Sequence, residues 1–177
     1  MPYAVTLPLH AEATARIRQM WCALAEHAGA DDAIRLGYVP HITLAVLPDD
    51  APISDVEKAV SRVVGDWTAF SVVLAGFGVF PGTPPVVWAV PVVTAALLAR
   101  HALLCAALGS FGIHPHYHPG HWVPHVTLSQ ESPSSARAIE VVTSMWDGPI
   151  ITRLEKVELV RFLPVTVLRS HPLKPEE

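Results

Sequence analysis

The sequence predicts an α+β domain made of two pseudo-symmetric lobes, each a small sheet backed by helices, and three observations carry that expectation. GYVPHITL at 37–44 returns as HWVPHVTL at 121–128, with Val, Pro, His, Thr and Leu in the same places. The segments flanking the two copies are collinear, so the repeat extends well beyond the octapeptide. At 177 residues the chain is about one domain long on a prior of roughly 100–200 residues per domain. Both copies therefore belong to one body, residues 1–177, with repeat halves of roughly 1–82 and 83–177.

In the first half, AVTLPL at 4–9 alternates as a strand does, and Ile17, Met20, Trp21 and Leu24 recur at helical spacing over about 11–28. The first octapeptide reads as the next strand. A helix starts at Pro52, where a missing N–H is tolerated, and runs through Ser54, Val56 and Val60 to the Asp66-Trp67 pair. TAFSVVLAGF at 68–77 closes the half as a further strand. The second half repeats this order with VWAVPV at 87–92, a helix over about 94–109 carrying Leu97, Leu98, Leu104 and Leu108, and the second octapeptide. A helix from Pro133 through Ile139 and Val142 to Trp146-Asp147 follows, then one strand-like stretch, ITRLEKVELVRFL, at 151–163. A strand–helix–strand unit can pair in parallel or split across a sheet, which leaves the strand order open. Gly76, Gly78 and Gly82 read as turn glycines, since GxGxxxG is not the dinucleotide fingerprint and no helix follows it. The tail SHPLKPEE is polar, and His171 in it is expected to be solvated.

Hydrophobic residues make up 51% and charged residues 16%, with a mean hydropathy of +0.37, the composition of a chain that buries a core. The uncharged run at 67–99 is cut by glycines and prolines into pieces shorter than the roughly 20 residues that span a bilayer, so no membrane span is expected. MPYAVTLPLH has no basic region ahead of a long apolar run; no secretory signal is read there, and a cytoplasmic location follows. Cys22 and Cys105 stand alone without a CxxC and read as reduced thiols on apolar helix faces. Lys and Arg number 12 against 16 Asp and Glu, a net charge of −4 with no basic cluster. That balance disfavours gripping long duplex nucleic acid through many phosphates and leaves a small nucleotide or an RNA terminus open. No P-loop, nucleophile elbow or Pro-Cys-x-x-Cys deaminase signature is present.

The repeated tetrapeptide carries the chemistry. Along a strand, residues i and i+2 share a face, so His41 and Thr43 point one way and Ile42 and Leu44 the other, as do His125 and Thr127 against Val126 and Leu128. Each pair sets an imidazole suited to proton transfer near neutral pH beside a hydroxyl that donates to an anionic oxygen. Two such pairs across a shared cleft meet the needs of phosphodiester cleavage: a base on one side, an acid on the other, and donors for the phosphoryl oxygens. This chemistry requires no metal and no cofactor. A single His-x-Thr is an ordinary strand histidine more often than a catalyst; two at matched places in a duplicated chain favour catalysis.

PHITL and PHVTL in one chain resemble the paired signatures of the 2H phosphoesterase superfamily, in particular its bacterial 2′,5′ RNA ligase-like and cyclic phosphodiesterase branch. The resemblance takes in YAVTLPL, both motifs, FGVFPGTPPVVWAV and VELVRFLPVTVLRSHPL. It implies a bilobal fold with two small, mostly antiparallel sheets around a central cleft, His41 and His125 as the acid–base pair, and Thr43 and Thr127 as phosphate ligands. It also implies metal-free hydrolysis of 2′,3′-cyclic phosphates of nucleotides or RNA 3′ ends, with 2′,5′ ligation or 2′,5′-phosphodiester cleavage as the alternative. Relatives that handle RNA commonly carry basic residues near the motifs, whereas Ala45-Val46-Leu47 and Ser129-Gln130 follow them here. A non-RNA cyclic phosphate is therefore open as substrate, and so is a module that holds nucleotide or RNA-end phosphates without turnover.

HPHYHPGH at 114–121 concentrates His114, His116, His118 and His121. It reads as a rigid lip beside the second motif, with Tyr117, His118 or Trp122 as candidate substrate contacts, as plain surface, or as a metal-binding loop. Trp122 and Tyr38 precede their histidines by three, which on a regular strand turns them away from the cleft and toward the core; Pro124 and Pro40 can bend the chain enough to change that.

Overall fold

A computed structural model describes residues 2–176. Eight strands and five α-helices follow in the order β1 (Tyr3–Pro8), α1 (Ala11–Ala28), α2 (Asp32–Arg35), β2 (His41–Leu47), α3 (Ile53–Val64), β3 (Phe70–Phe80) and β4 (Val86–Pro91). Then come α4 (Ala95–Leu108), β5 (Val126–Ser129), α5 (Ser135–Met145), β6 (Ile150–Leu154), β7 (Lys156–Arg161) and β8 (Thr166–Pro172), with short 3₁₀ turns at Gly109–Phe111 and Pro115–Tyr117. The strands form two four-stranded sheets, ordered β2-β1-β7-β8 and β5-β4-β3-β6, and every neighbouring pair is antiparallel.

The fold is the expected α+β pair of sheets, but the halves of the chain exchange parts. β3 leaves the first half to pair with β4 and β6, and β7 and β8 leave the second half to extend the sheet of β1 and β2. The helices cross as well: α1 packs on β5, β6 and α5, while α3 and α4 pack on each other and on β8 and β2. One apolar cluster consequently runs through both lobes, with Ile17, Met20 and Leu24 of α1 and Leu97, Leu104 and Leu108 of α4 almost wholly buried.

Local chemistry sets the helix ends. Gly29 closes α1 in the left-handed region at φ 64°, where its N–H reaches the Leu24 carbonyl. Thr94 caps α4 by accepting from Leu97 N at 3.2 Å. α5 starts two residues later than Pro133 suggests, because Ser134 supplies the cap to Arg137 N. No helix among the described residues is long and apolar enough to cross a membrane.

Four readings of the sequence are corrected. The single strand expected over 151–163 is two, β6 and β7, which lie in different sheets with Glu155 as the hinge. Gly76 and Gly78 lie inside β3 and not in a turn; a Cβ on Gly78 would stand 2.9 Å from the Trp88 ring, so its bareness makes room for that indole. The segment holding His171 is strand β8 paired with β7, and His171 is half-buried there. Cys22 is exposed, on the outer side of α1.

Candidate active site

The motif strands β2 and β5 are the edge strands of their sheets, and the two edges meet. Each carries a bulge at the residue after the motif threonine. In the β1–β2 ladder Thr6 faces Thr43 and Val5 faces Ala45, leaving Leu44 unpaired; in the β4–β5 ladder Trp88 faces Thr127 and Val87 faces Ser129, leaving Leu128 unpaired. The extra residue sends both Leu44 and Ala45 into the core and returns the next position, Val46 and its counterpart Gln130, to the cleft. His41, Thr43, His125 and Thr127 all line one cavity of about 320 Å³.

Both histidines are held in the same way. His41 Nδ1 lies 2.8 Å from the Val39 carbonyl, and His125 Nδ1 lies 2.8 Å from the Val123 carbonyl. Since a carbonyl only accepts, each Nδ1 carries the hydrogen, and Nε2 is the nitrogen left for chemistry. Burial pushes both imidazoles below their ordinary range, and for His41 the nearby His125 adds to the effect. His41 packs its ring on Tyr38 at 4.8 Å, and His125 meets Phe80 edge-on at 5.2 Å with Trp88 behind it.

Indoles brace the strand backbones across the halves. Trp122 donates from Nε1 to the Thr43 carbonyl at 2.9 Å, and Trp21 donates to the Thr127 carbonyl at 3.1 Å. Trp122 is thus buried, stacked at 3.9 Å on the His101 ring, and does not line the cavity. Its expected core role holds, and the substrate contact suggested for it does not fit this position. His118 is exposed and also outside the cavity lining. Tyr117 does line the cavity, with Thr43 beside it in the lining; its backbone carbonyl is anchored by His101 Nε2 at 3.0 Å and Cys105 Sγ at 3.3 Å. Burial pushes the Cys105 thiol up to about 11, so it is a thiol and a donor at neutral pH. Among the described residues, no three His, Cys, Asp or Glu side chains gather into a metal-sized cluster, so the loop histidines 114–121 do not converge on one point.

Several residues of the cavity lining are not site candidates in the sequence, and the polar ones Tyr38, Thr6 and Asp32 matter most. Tyr38, expected in the core, is both buried and in the lining, because the strand starts only at His41 and Pro40 turns the chain before it. Its hydroxyl donates to the buried Glu158 at 2.6 Å and lies 2.9 Å from the Thr6 hydroxyl on the cavity floor. Burial and the Glu158 carboxylate hold the proton on Tyr38 well above the usual phenol range. Asp32, in the short α2, also lines the cavity.

Two lobes that present matched histidine–threonine pairs to a common cleft define the class of a two-histidine phosphoesterase fold. The chain belongs to the 2′-5′ RNA ligase superfamily, the 2H phosphoesterases, whose family model matches residues 7–164. Among solved structures it resembles TT0787 of Thermus thermophilus, at 22% identity and a TM-score of 0.72 with 100% of both chains covered. It likewise resembles E. coli LigT complexed with 3′-AMP, at 20% identity and a TM-score of 0.68 over 98% of this chain and 99% of that one. A structure described as a phosphoesterase matches at 19% identity and a TM-score of 0.66 over 97% of each chain. No functionally curated protein matches the chain.

Proposed function

We propose that this protein is a metal-independent phosphodiesterase that opens 2′,3′-cyclic phosphates of nucleotides or RNA 3′ ends by acid–base catalysis between His41 and His125. One observation carries the reading: two imidazoles with Nδ1 tied to the backbone share a cavity with two threonine hydroxyls. The active form is the singly protonated pair. One bare Nε2 takes a proton from water as the water oxygen attacks phosphorus. The other Nε2–H gives its proton to the ribose oxygen as the ring P–O bond breaks, leaving a ribose phosphomonoester. The pair ends with its proton on the opposite ring, and exchange with solvent resets it. Thr43 and Thr127 donate to the non-bridging oxygens as charge builds there. A nucleoside monophosphate, such as the 3′-AMP bound by the E. coli relative, is what such a ring opening leaves.

The test is turnover of a nucleoside 2′,3′-cyclic phosphate in the presence of a chelator. His41→Ala and His125→Ala are each expected to lower kcat by at least about 10². Because the two groups act as a unit, the double variant should lose little more than either single one. Retained turnover in either single variant, or loss of wild-type turnover to the chelator, contradicts the reading.

A further inference from the structure

Among the described residues, the cleft that holds both histidines offers a substrate no cation besides an imidazolium of that pair. No lysine or arginine lines it among the described residues, and the two positions returned to it by the strand bulges are Val46 and Gln130. Apart from the histidines, its one ionic side chain is Asp32, which is 7% exposed. Asp32 Oδ2 accepts from the Gln130 N–H at 3.0 Å and Oδ1 from the Ser129 hydroxyl at 3.4 Å, which leaves a lone pair on each oxygen. No basic side chain pairs with it among the described residues; Arg35, on the same helical turn, is engaged by Asp31 and Glu131 at the surface. A carboxylate held in the cavity wall with acceptor capacity to spare is placed to select among ligands. Gln130, to which it bonds, lies three positions along the chain from Thr127, on the order of 10 Å at strand spacing. That is comparable with the reach from a ribose-bound phosphate to the far end of the nucleoside.

We propose that Asp32 restricts the cleft to small phosphodiesters carrying a single negative charge: it accepts a hydrogen bond from a hydroxyl or amino group of the substrate's organic part and repels a second phosphate. The proposal rests on the cyclic phosphodiesterase reading and narrows it. Nucleoside 2′,3′-cyclic monophosphates with a free 5′-hydroxyl qualify; their 5′-phosphorylated counterparts and oligonucleotides do not. Two like charges about 10 Å apart at an effective dielectric near 20 change affinity on the order of tenfold; the cyclic phosphate carries that cost in every substrate, and a second phosphate adds to it.

The test compares a nucleoside 2′,3′-cyclic monophosphate with its 5′-phosphorylated form on the wild type and on Asp32→Asn. KM and kcat are read on the active protein, and Kd by calorimetry in an inert His41→Ala background. The wild type is expected to favour the free 5′-hydroxyl by about tenfold or more. Asp32→Asn should weaken that ligand and tighten the 5′-phosphorylated one, an opposite movement that mere loss of structural support would not give. Equal wild-type affinity for the two ligands, or parallel weakening of both in the variant, overturns the proposal. If the wild type turns over neither ligand, the hydrolase reading fails while the calorimetry still decides the role of Asp32; absence of binding by both overturns the two together.

Discussion

His41 and His125 each bond the carbonyl two residues back, and in both copies the residue between is proline. Proline brings no N–H to a sheet ladder, so the chain joins the ladder only at His41 in one copy and Val126 in the other, and the valine carbonyl remains free for Nδ1. The Val-Pro-His repeat is therefore a device for fixing a tautomer, and its consequence can be read in pH. Burial lowers both imidazoles, so the neutral forms gain at neutral pH, and the singly protonated pair is lost as pH rises through the lowered values. On the acid side a second proton removes the base. We expect a bell-shaped kcat/KM with its optimum below the ordinary imidazole value of about 6.5, since kcat/KM reports the free enzyme. A bound phosphodiester anion favours imidazolium, so the alkaline limb of kcat should lie at higher pH than that of kcat/KM. A kcat/KM that climbs steadily through neutral pH contradicts this. At this scale the two His-x-Thr pairs were legible because a strand's period of two places them on one face, and Ile42 and Leu44 are indeed fully buried. Asp32 was not legible: ADDAIRLG reads as a polar connector, and nothing in it signals that one of its acids turns inward.

At the scale of elements, the exchange of strands between the halves has a consequence for folding. β3 finds its partners, β4 and β6, only in the second half, and the sheet of β1 and β2 needs β7 beside β1. A fragment of residues 1–82 would keep a lone β1–β2 pair and an unpartnered β3, too little sheet to stand alone in water. We expect that fragment to be unfolded, with collapsed amide dispersion in its NMR spectrum, while the full chain is dispersed; a well-dispersed fragment contradicts the exchanged architecture. The repeat made strand and helix order readable, because both halves print the same alternation of periods. It did not reveal the exchange. ITRLEKVELVRFL runs on in β-branched and apolar residues without a glycine or proline, so the switch of sheets at Glu155 has no turn signal. The bulges at Leu44 and Leu128 were equally silent, since a bulge adds a residue without changing its type.

In the molecule as a whole, the exchange ties the two motif strands to one body. Trp21, from the first half, supports the second motif, and Trp122, from the second half, supports the first. α1 packs on the sheet of β5, and α4 on the sheet of β2. Neither pair can shift without disturbing the core of the other lobe, which suits the proposed transfer of two protons across one phosphorus. In the proposed mechanism both imidazoles address the same anion. The most direct measurement follows the His41 and His125 ring signals by NMR against pH, with and without inorganic phosphate, each assigned by its own substitution. Both imidazole pKa values are expected to rise together on addition of phosphate, saturating at one ion per chain. A rise confined to one ring, or two independent phosphate saturations, would contradict it.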